Sequence, residues 1–451
     1  MQKSAARMLI AGTGSGCGKT TVTCAILQAL VNRGHRVASF KCGPDYIDPM
    51  FHTEIIGAQS ANIDLFFAGE ALARSLFLQH AAELNVIEGV MGYYDGTTLA
   101  SDDASSYRVA QALSAPAVLV VGGYGMALSV AAVVKGFLQL RGANRISGVI
   151  FNRIHASIYP ALKDTIEREC GVHAYGYLPE NAAFSLESRH LGLVTAQEVD
   201  GLHQKMEQLA MQAEKTIDLD GLLSLMRAQE PLCAQELSVR PLGSARIALA
   251  QDRAFCFYYR DNLELLTALG ATLVPFSPLC DRELPPCDGL LLGGGYPELT
   301  AQMLSENTSM RESVRTAIAD GLPTLAECGG FMYLCQRIGS FPMVGVFPGE
   351  CCDTRGLSRF GYATLTAQAP CMLLDAGESI RGHEFHYWDA DCTGDALIAV
   401  QPSGRQWTCA YCTDTLYAGY PHLYLPSNPR AAQRFLQKCL ARKVARAENL
   451  R

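Results

Sequence analysis

The sequence predicts two successive α/β domains: a parallel sheet built around a phosphate loop, then a second α/β domain with a thiol at a strand–helix turn. Three observations predict this. The 451 residues exceed what one hydrophobic core usually spans. Short apolar runs alternate with helical patterns in two series, separated by a polar helical stretch. Each series contains one apolar run that ends in a turn of small residues carrying chemically special side chains.

In the first series, Met8 to Gly12, Arg36 to Lys41, Leu84 to Gly89, Ala117 to Gly122 and Ile146 to Asn152 read as strands. Their largely neutral, leucine-rich or β-branched character suits a parallel sheet covered on both faces. Thr20 to Val31 and Leu128 to Leu140 suit the crossover helices. Glu198 to Val239 looks helical and polar on one side, with a break at Pro231. A second series follows: Arg246 to Ala250, Thr272 to Phe276, Gly289 to Leu292, Pro323 to Ala326 and Met343 to Val346. These divisions predict a P-loop domain over 1–200, a helical linker over 201–243, a second domain over 244–435 and a basic, solvated tail over 436–451.

Composition narrows the function classes. Hydrophobic residues make up 49% and charged residues 18%, which is globular rather than disordered. The net charge is −7 and no long basic stretch interrupts it, which argues against nucleic acid. No apolar run approaches the roughly 20 residues that span a bilayer, and no secretory leader is evident. The 17 cysteines are scattered without a CxxC pair. They read mostly as reduced thiols of a cytoplasmic protein.

The first chemical signal is Gly12-Thr13-Gly14-Ser15-Gly16-Cys17-Gly18-Lys19-Thr20-Thr21, set between an apolar run and a helical pattern. Strand, glycine-rich turn, Lys-Thr and helix is the context a P-loop requires, since backbone N–H groups and the helix N-terminus hold phosphate oxygens. Thr13 stands where the strict pattern has glycine, so counting from Gly12 makes the loop one residue longer. Lys19 is expected on the β/γ-phosphates and the Thr20 hydroxyl on Mg²⁺. Ligands of a parallel sheet gather at the carboxyl ends of its strands. There Lys41 offers a cation for phosphate or carboxylate, and Asp45 and Glu88 offer hard oxygens for Mg²⁺. Tyr46, Ile47 and Asp48 follow and are expected to meet the acceptor substrate. Asp95 reads equally as a ligand or a turn residue.

The second signal is Pro323-Thr324-Leu325-Ala326-Glu327-Cys328-Gly329-Gly330, a strand entering a tight turn with Cys328 at its tip and a helix behind. This is nucleophile-elbow geometry, and a helix N-terminus favours thiolate. The backbone N–H groups of Gly294 and Gly295, after another strand, suit an oxyanion hole. His422 is the first candidate for the base, with His383 and His386 behind it.

These stretches together resemble the cobyrinate a,c-diamide synthase family of amidotransferases. The likeness rests on Gly12 to Thr21, Lys41 to Pro49 (KCGPDYIDP), Val86 to Gly89, Gly293 to Leu299 (GGGYPEL), Ala326 to Gly330 (AECGG), Arg381 to Tyr387 (RGHEFHY) and Pro421 to Leu423. The first half is also similar to dethiobiotin synthetase, and the second to the triad-type glutamine amidotransferases. The resemblance implies ATP, glutamine and cobyrinate as substrates, and amidation of the a- and c-acetate carboxylates in cobalamin biosynthesis. It implies Gly14 to Thr21 and Asn152 as nucleotide-binding residues, Asn152 for the adenine. It implies Thr20, Asp45 and Glu88 around Mg²⁺, Lys19 and Lys41 on phosphate and the activated carboxylate, Cys328 as nucleophile and His422 as its base. One departure stands out: the wider triad pattern has Glu two residues after the histidine, where this chain has Tyr424. Two other readings follow from the same residues. One is the same chemistry on hydrogenobyrinate or a nickel sirohydrochlorin; the other is a partitioning or scaffold ATPase, which has no use for AECGG. Cobyric acid synthase, a further relative, lacks the lysine at Lys19. Oligomeric state, a homodimer included, stays open.

Overall fold

The computed structural model describes residues 2–123, 125–181, 184, 196–235 and 237–449. The chain divides into two compact units, Met1–Leu237 and Ser238–Arg451.

The first unit is a seven-stranded, wholly parallel sheet. Its strands are β1 (Ala6–Gly12), β2 (Val37–Cys42), β3 (Gln59–Ile63), β4 (Leu84–Glu88), β5 (Ala117–Gly122), β6 (Ile146–Asn152) and β7 (His173–Leu178). Their order is β3-β2-β4-β1-β5-β6-β7. The five strands expected from apolar runs are all present. The two edge strands were not expected, because Gln59–Ile63 is polar and His173–Leu178 is interrupted by Gly176. Alternate side chains serve opposite faces, as the strand period demands. Leu9 and Ala11 join one core, Met8 and Ile10 the other.

Helices α1 (Lys19–Asn32), α2 (Ile47–Phe51), α3 (Leu65–His80), α4 (Ser106–Ala112), α5 (Ser129–Leu140) and α6 (Tyr159–Cys170) connect the strands. Helix α8 (Leu219–Arg227) and most of helix α7 (Ala196–Thr216) fall in the stretch expected as a linker. They are instead part of the first unit: Met206, Leu209, Ala213 and Leu222 are buried with α1 in the core on that face. Their apolar positions fall at helical spacing, which covers a sheet face that would otherwise lie open.

The second unit has a six-stranded sheet ordered β9-β8-β10-β11-β17-β16. Its strands are β8 (Ala245–Ala250), β9 (Ala271–Phe276), β10 (Gly289–Leu292), β11 (Thr324–Glu327), β16 (Tyr411–Cys412) and β17 (Leu416–Gly419). All pairs are parallel except the last. A second, antiparallel sheet is ordered β15-β14-β12-β13-β18. It comprises β12 (Arg359–Ala367), β13 (Ser379–His386), β14 (Leu397–Val400), β15 (Gln406–Cys409) and β18 (His422–Leu423). The helices are α9 (Arg260–Leu269), α10 (Ala301–Glu306), α11 (Thr308–Ala319), α12 (Gly329–Leu334) and α13 (Pro429–Asn449).

Two expectations change here. Met343 to Val346 is not a strand. Its backbone N–H groups donate to the carbonyls of Tyr333, Leu334, Cys335 and Gln336, so the segment closes the C-terminal end of α12. Met343 and Val344 are apolar because they are buried in that corner. The tail expected to be solvated begins inside α13, where Leu436 and Cys439 are fully buried against β8 and α9.

Candidate functional site

The phosphate loop joins β1 to α1. Gly16 and Gly18 hold φ of 75° and 95°, a left-handed backbone that favours glycine. A Cβ at Gly18 would fall 1.8 Å from Asn152 Nδ2. Asn152, at the end of β6, donates from that nitrogen to the Cys17 carbonyl at 3.0 Å. The amide expected to read the adenine therefore braces the loop backbone here. Ser15 and Gly16 lie exposed at the crest, and Thr21 is half-buried in the first turn of α1. Lys19 Nζ donates to the carbonyls of Gly14, at 3.0 Å, and Met91. Burial lowers its pKa.

Strand order explains the acidic cluster beside this loop. β4 lies between β2 and β1, so Glu88 is in register with both Lys41 and Ile10. Thr20 Oγ1 donates to Glu88 Oε1 at 2.6 Å, and Lys41 Nζ donates to the same oxygen at 2.9 Å. Lys41 also bonds Asp48 and lies 4.0 Å from Asp45. Burial pushes Glu88 up to about 7 and Asp45 up to about 6, with the Asp48 charge adding to each. Asp48 is held low despite burial, by Lys41. Burial disfavours charge on Lys41, but Glu88, Asp48 and Asp45 together raise its pKa well above the usual value. Glu88 Oε2 is buried without a hydrogen-bond partner among the described residues, and such a hard oxygen suits a divalent cation.

The neighbouring side chains are locally fastened. Ile47 N–H donates to Asp45 Oδ1 at 2.9 Å, while Asn62 Nδ2 donates to the carbonyls of Gly43 and Asp45. Tyr46 and Asp48 are buried, and Ile47 is half-buried. Asp95 plays the turn role: Gly92 N–H donates to its Oδ2 at 2.7 Å, and its own N–H donates back to Gly92 O. His52 carried no sequence signal, yet its Nε2 lies 3.5 Å from Glu88 Oε2 and its Nδ1 2.8 Å from Ser39 Oγ. Burial pushes it down to about 4, so it is neutral.

In the second unit, Cys328 stands between β11 and α12 with φ 48° and ψ −106°, a strained conformation for a residue with a side chain. Its N–H donates to Gly419 O at 2.8 Å. The flanking residues must be small. A Cβ on Gly330 would meet Leu292 O at 2.1 Å, and one on Gly329 would meet Pro297 Cδ at 2.9 Å and Gly295 N at 3.1 Å. The elbow thus presses on the Gly293–Pro297 turn. The thiol is not lowered as expected. Burial drives it up and Glu298 adds to that, while the Gly329 N–H opposes too weakly. One six-residue helix does not offset complete burial of a thiolate.

The same turn meets the histidines. A Cβ on Gly294 would lie 2.3 Å from His422 Cε1. Gly294 O accepts from Cys256 and Phe257 N–H at 3.0 Å each, which fixes the turn. His422 and His383 are register partners on β18 and β13, and their rings stack with centroids 5.0 Å apart. His383 Nδ1 pairs with Tyr259 Oη at 2.9 Å. His386 stacks on Tyr420 and pairs with Trp388 O and Glu384. Burial, then His383 and His386, keep His422 neutral. Tyr424 donates to Asp261 at 2.6 Å. Glu327 was quoted in the motif but given no role. Its Oε2 lies 3.8 Å from His422 Nδ1, and its Oε1 accepts from Leu423 N–H at 3.1 Å.

Comparison with known proteins agrees with both halves. Residues 8–194 match the CobQ/CobB/MinD/ParA nucleotide binding domain, and residues 246–429 match the CobB/CobQ-like glutamine amidotransferase domain. The cobyrinate a,c-diamide synthase of Listeria innocua is 40% identical over 438 residues, covering 94% of this chain and 97% of that protein. That of Salmonella typhimurium is 40% identical over 453 residues, covering 97% and 98%. That of Caldanaerobacter subterraneus is 39% identical over 443 residues, covering 96% and 98%. At this identity over nearly the whole of both chains, the protein belongs to the cobyrinate a,c-diamide synthase family.

Proposed function

We propose that the chain catalyses ATP-dependent amidation of the a- and c-acetate carboxylates of cobyrinate, with glutamine as the nitrogen donor. The observation that carries this reading is the presence of both constellations in one chain: Lys19, Thr20, Lys41 and Glu88 around the phosphate loop, and Gly294 and His422 by the Cys328 elbow. Neither half alone makes an amide from glutamine.

In the first unit a substrate carboxylate oxygen attacks the γ-phosphorus of ATP, giving an acyl phosphate and ADP. Lys19 and Lys41 bind the transferring phosphoryl charge, which is where most catalysis of phosphoryl transfer lies. The backbone N–H groups of residues 14–21 hold the phosphates. Tyr46, Ile47 and Asp48 contact the acceptor. Thr20, Asp45 and Glu88 would hold Mg²⁺; their hard oxygens and the unpartnered Glu88 Oε2 fit that ion, which when bound neutralises phosphate charge. In the second unit Cys328 Sγ loses its proton to His422 and attacks the glutamine amide carbon. The N–H groups of Gly294 and Gly295 donate hydrogen bonds to the oxyanion. The C–N bond breaks as nitrogen takes the proton, and the thioester is hydrolysed to glutamate. Ammonia then attacks the acyl carbon and displaces phosphate. All 17 cysteines are free thiols, which supports a reducing compartment such as the cytoplasm. Among the described residues no helix is long and apolar enough to cross a membrane.

The test is mass analysis of cobyrinate incubated with ATP and glutamine. Two successive replacements of –OH by –NH₂ are expected, with ADP and glutamate released. Turnover of hydrogenobyrinate or a nickel sirohydrochlorin in its place would move the substrate and keep the chemistry. A Cys328→Ala protein is expected to lose glutamine use and retain amidation driven by ammonium salts. Loss of both together would overturn the division of labour.

A further inference from the structure

The family's nucleophile and base leave one place unfilled: nothing two residues after His422 can orient it, because Tyr424 is a phenol turned to Asp261. We propose that Glu327, the residue immediately before the nucleophile, is the positioning residue that sets the tautomer and orientation of His422. This rests on the glutamine-hydrolysing role given above to Cys328 and His422.

The geometry divides the Glu327 carboxylate between two tasks. Oε1 accepts the backbone N–H of Leu423, the residue after His422, at 3.1 Å. Oε2 faces His422 Nδ1 at 3.8 Å. One short side chain thus grips the β18 backbone and points its second oxygen at the ring that the backbone carries. The separation exceeds a hydrogen bond, but catalytic hydrogen bonds in ligand-free sites are commonly long and tighten on binding. The neighbouring side chains make further contacts of their own. His383 stacks flat on it, its Nδ1 committed to Tyr259. His386 faces Tyr420, Trp388 and Glu384. Tyr258 bonds Ala250 and Gly293. Glu298 acts on the Cys328 thiol, whose pKa it helps raise after burial.

The chemistry follows from which nitrogen carries hydrogen. Once ionised, Glu327 only accepts, so Oε2 then selects the tautomer with hydrogen on Nδ1. That leaves the Nε2 lone pair for the thiol proton. When Sγ–H breaks and Nε2–H forms, the ring becomes an imidazolium, and the carboxylate beside Nδ1 stabilises that charge. Burial, opposed by the Leu423 N–H, pushes the pKa of Glu327 up to about 8. The imidazolium formed during turnover is the partner that favours its ionised form. The last residue of β11 is therefore the orienting acid, and the elbow residue that follows it is the nucleophile.

Glu327→Gln is the discriminating change. The amide keeps size and shape, but only one of its two ends is an oxygen. If that oxygen stays on Leu423 N–H, the NH₂ faces Nδ1 and selects the wrong tautomer. The full-length variant is expected to lose about 100-fold in kcat for glutamine hydrolysis, with little change in KM. Ammonium-driven amidation serves as the folding control and should hold. The ¹⁵N signals of His422, assigned by their loss in His422→Ala, should move from hydrogen on Nδ1 to hydrogen on Nε2. Glu327→Asp, which keeps the carboxylate, should recover most of the rate. Wild-type kcat in Glu327→Gln, a raised KM with kcat intact, or Asp as slow as Gln would each overturn the proposal. The underlying reading fails separately, if Cys328→Ala still uses glutamine or loses ammonium-driven amidation as well.

Discussion

Gly294 shows how tightly a single residue is specified. Its absent Cβ would lie 2.3 Å from His422 Cε1, and the turn cannot yield, because its carbonyl is held by two backbone N–H groups. In Gly294→Ala the imidazole therefore has to move, and a displacement of about 1 Å in a catalytic group commonly costs about 100-fold in rate. Glutamine hydrolysis is expected to fall by about that factor, while the overpacking costs only about 1–3 kcal/mol and leaves the fold in place. Steady-state glutaminase kinetics, with ammonium-driven synthesis as the control, check it; an unchanged kcat would mean the ring has room. Lys41 illustrates the opposite case, in which one residue serves several others. Its ammonium neutralises Glu88 and Asp48 and lies near the half-buried Asp45, so two carboxylates can be buried beside a loop built for polyanions.

Helix α13 carries the argument at the level of elements. Arg434 on this helix pairs with Glu378, just before β13, and Asn428 Nδ2 donates to the other Glu378 oxygen at 3.1 Å. Burial opposes ionisation of Glu378, but the Asp375 N–H, Arg434 and Asn428 outweigh it and bring the group down to about 2. A carboxyl group lowered on folding stabilises the fold above its free value, and that stability is lost as pH falls towards the folded value. Glu378→Gln is therefore expected to be about 1 kcal/mol less stable at neutral pH. The difference should shrink between pH 4.5 and about 2, as followed by urea unfolding across that range; a constant difference would place the effect elsewhere. Such a contact was not legible in the sequence, which marked this helix only as basic. Most of the legible elements have a pattern that reflects burial on both faces: β1, β2, β4, β5 and β6, and then β8, β10 and β11; the edge strand β9 was legible from its apolar run alone. The antiparallel strands escaped because Phe360, Phe385 and Tyr387 stand exposed, so apolar residues there do not mark the inner face. The two chemical turns were legible because each is contiguous. Glu327 beside His422 and His52 beside Glu88 were not, since only the folded topology brings these residues together.

The whole chain joins a unit that makes an acyl phosphate to one that makes ammonia, and each product is vulnerable on its own. Acyl phosphates hydrolyse, and ammonia is protonated and diluted once it reaches solvent. Fusion of the two units in one chain has a purpose if the ammonia formed at Cys328 is used by the phosphate loop of the same chain. Two variants isolate the question. Lys19→Ala is expected to keep glutaminase activity and lose ATP-dependent synthesis, because the cation for the transferring phosphoryl group is gone. Cys328→Ala is expected to do the reverse. Mixed in equal amounts with glutamine, the two contain every activity but never in one chain. With intrachain transfer, the mixture makes amide only through ammonia that has escaped to solution. Adding an enzymatic ammonia trap, glutamate dehydrogenase with its cosubstrates, should then abolish synthesis by the mixture and leave the unmodified protein's rate unchanged. Equal sensitivity of the two to the trap would mean that ammonia passes through bulk solvent, and that the fusion serves only to keep the two activities in fixed proportion.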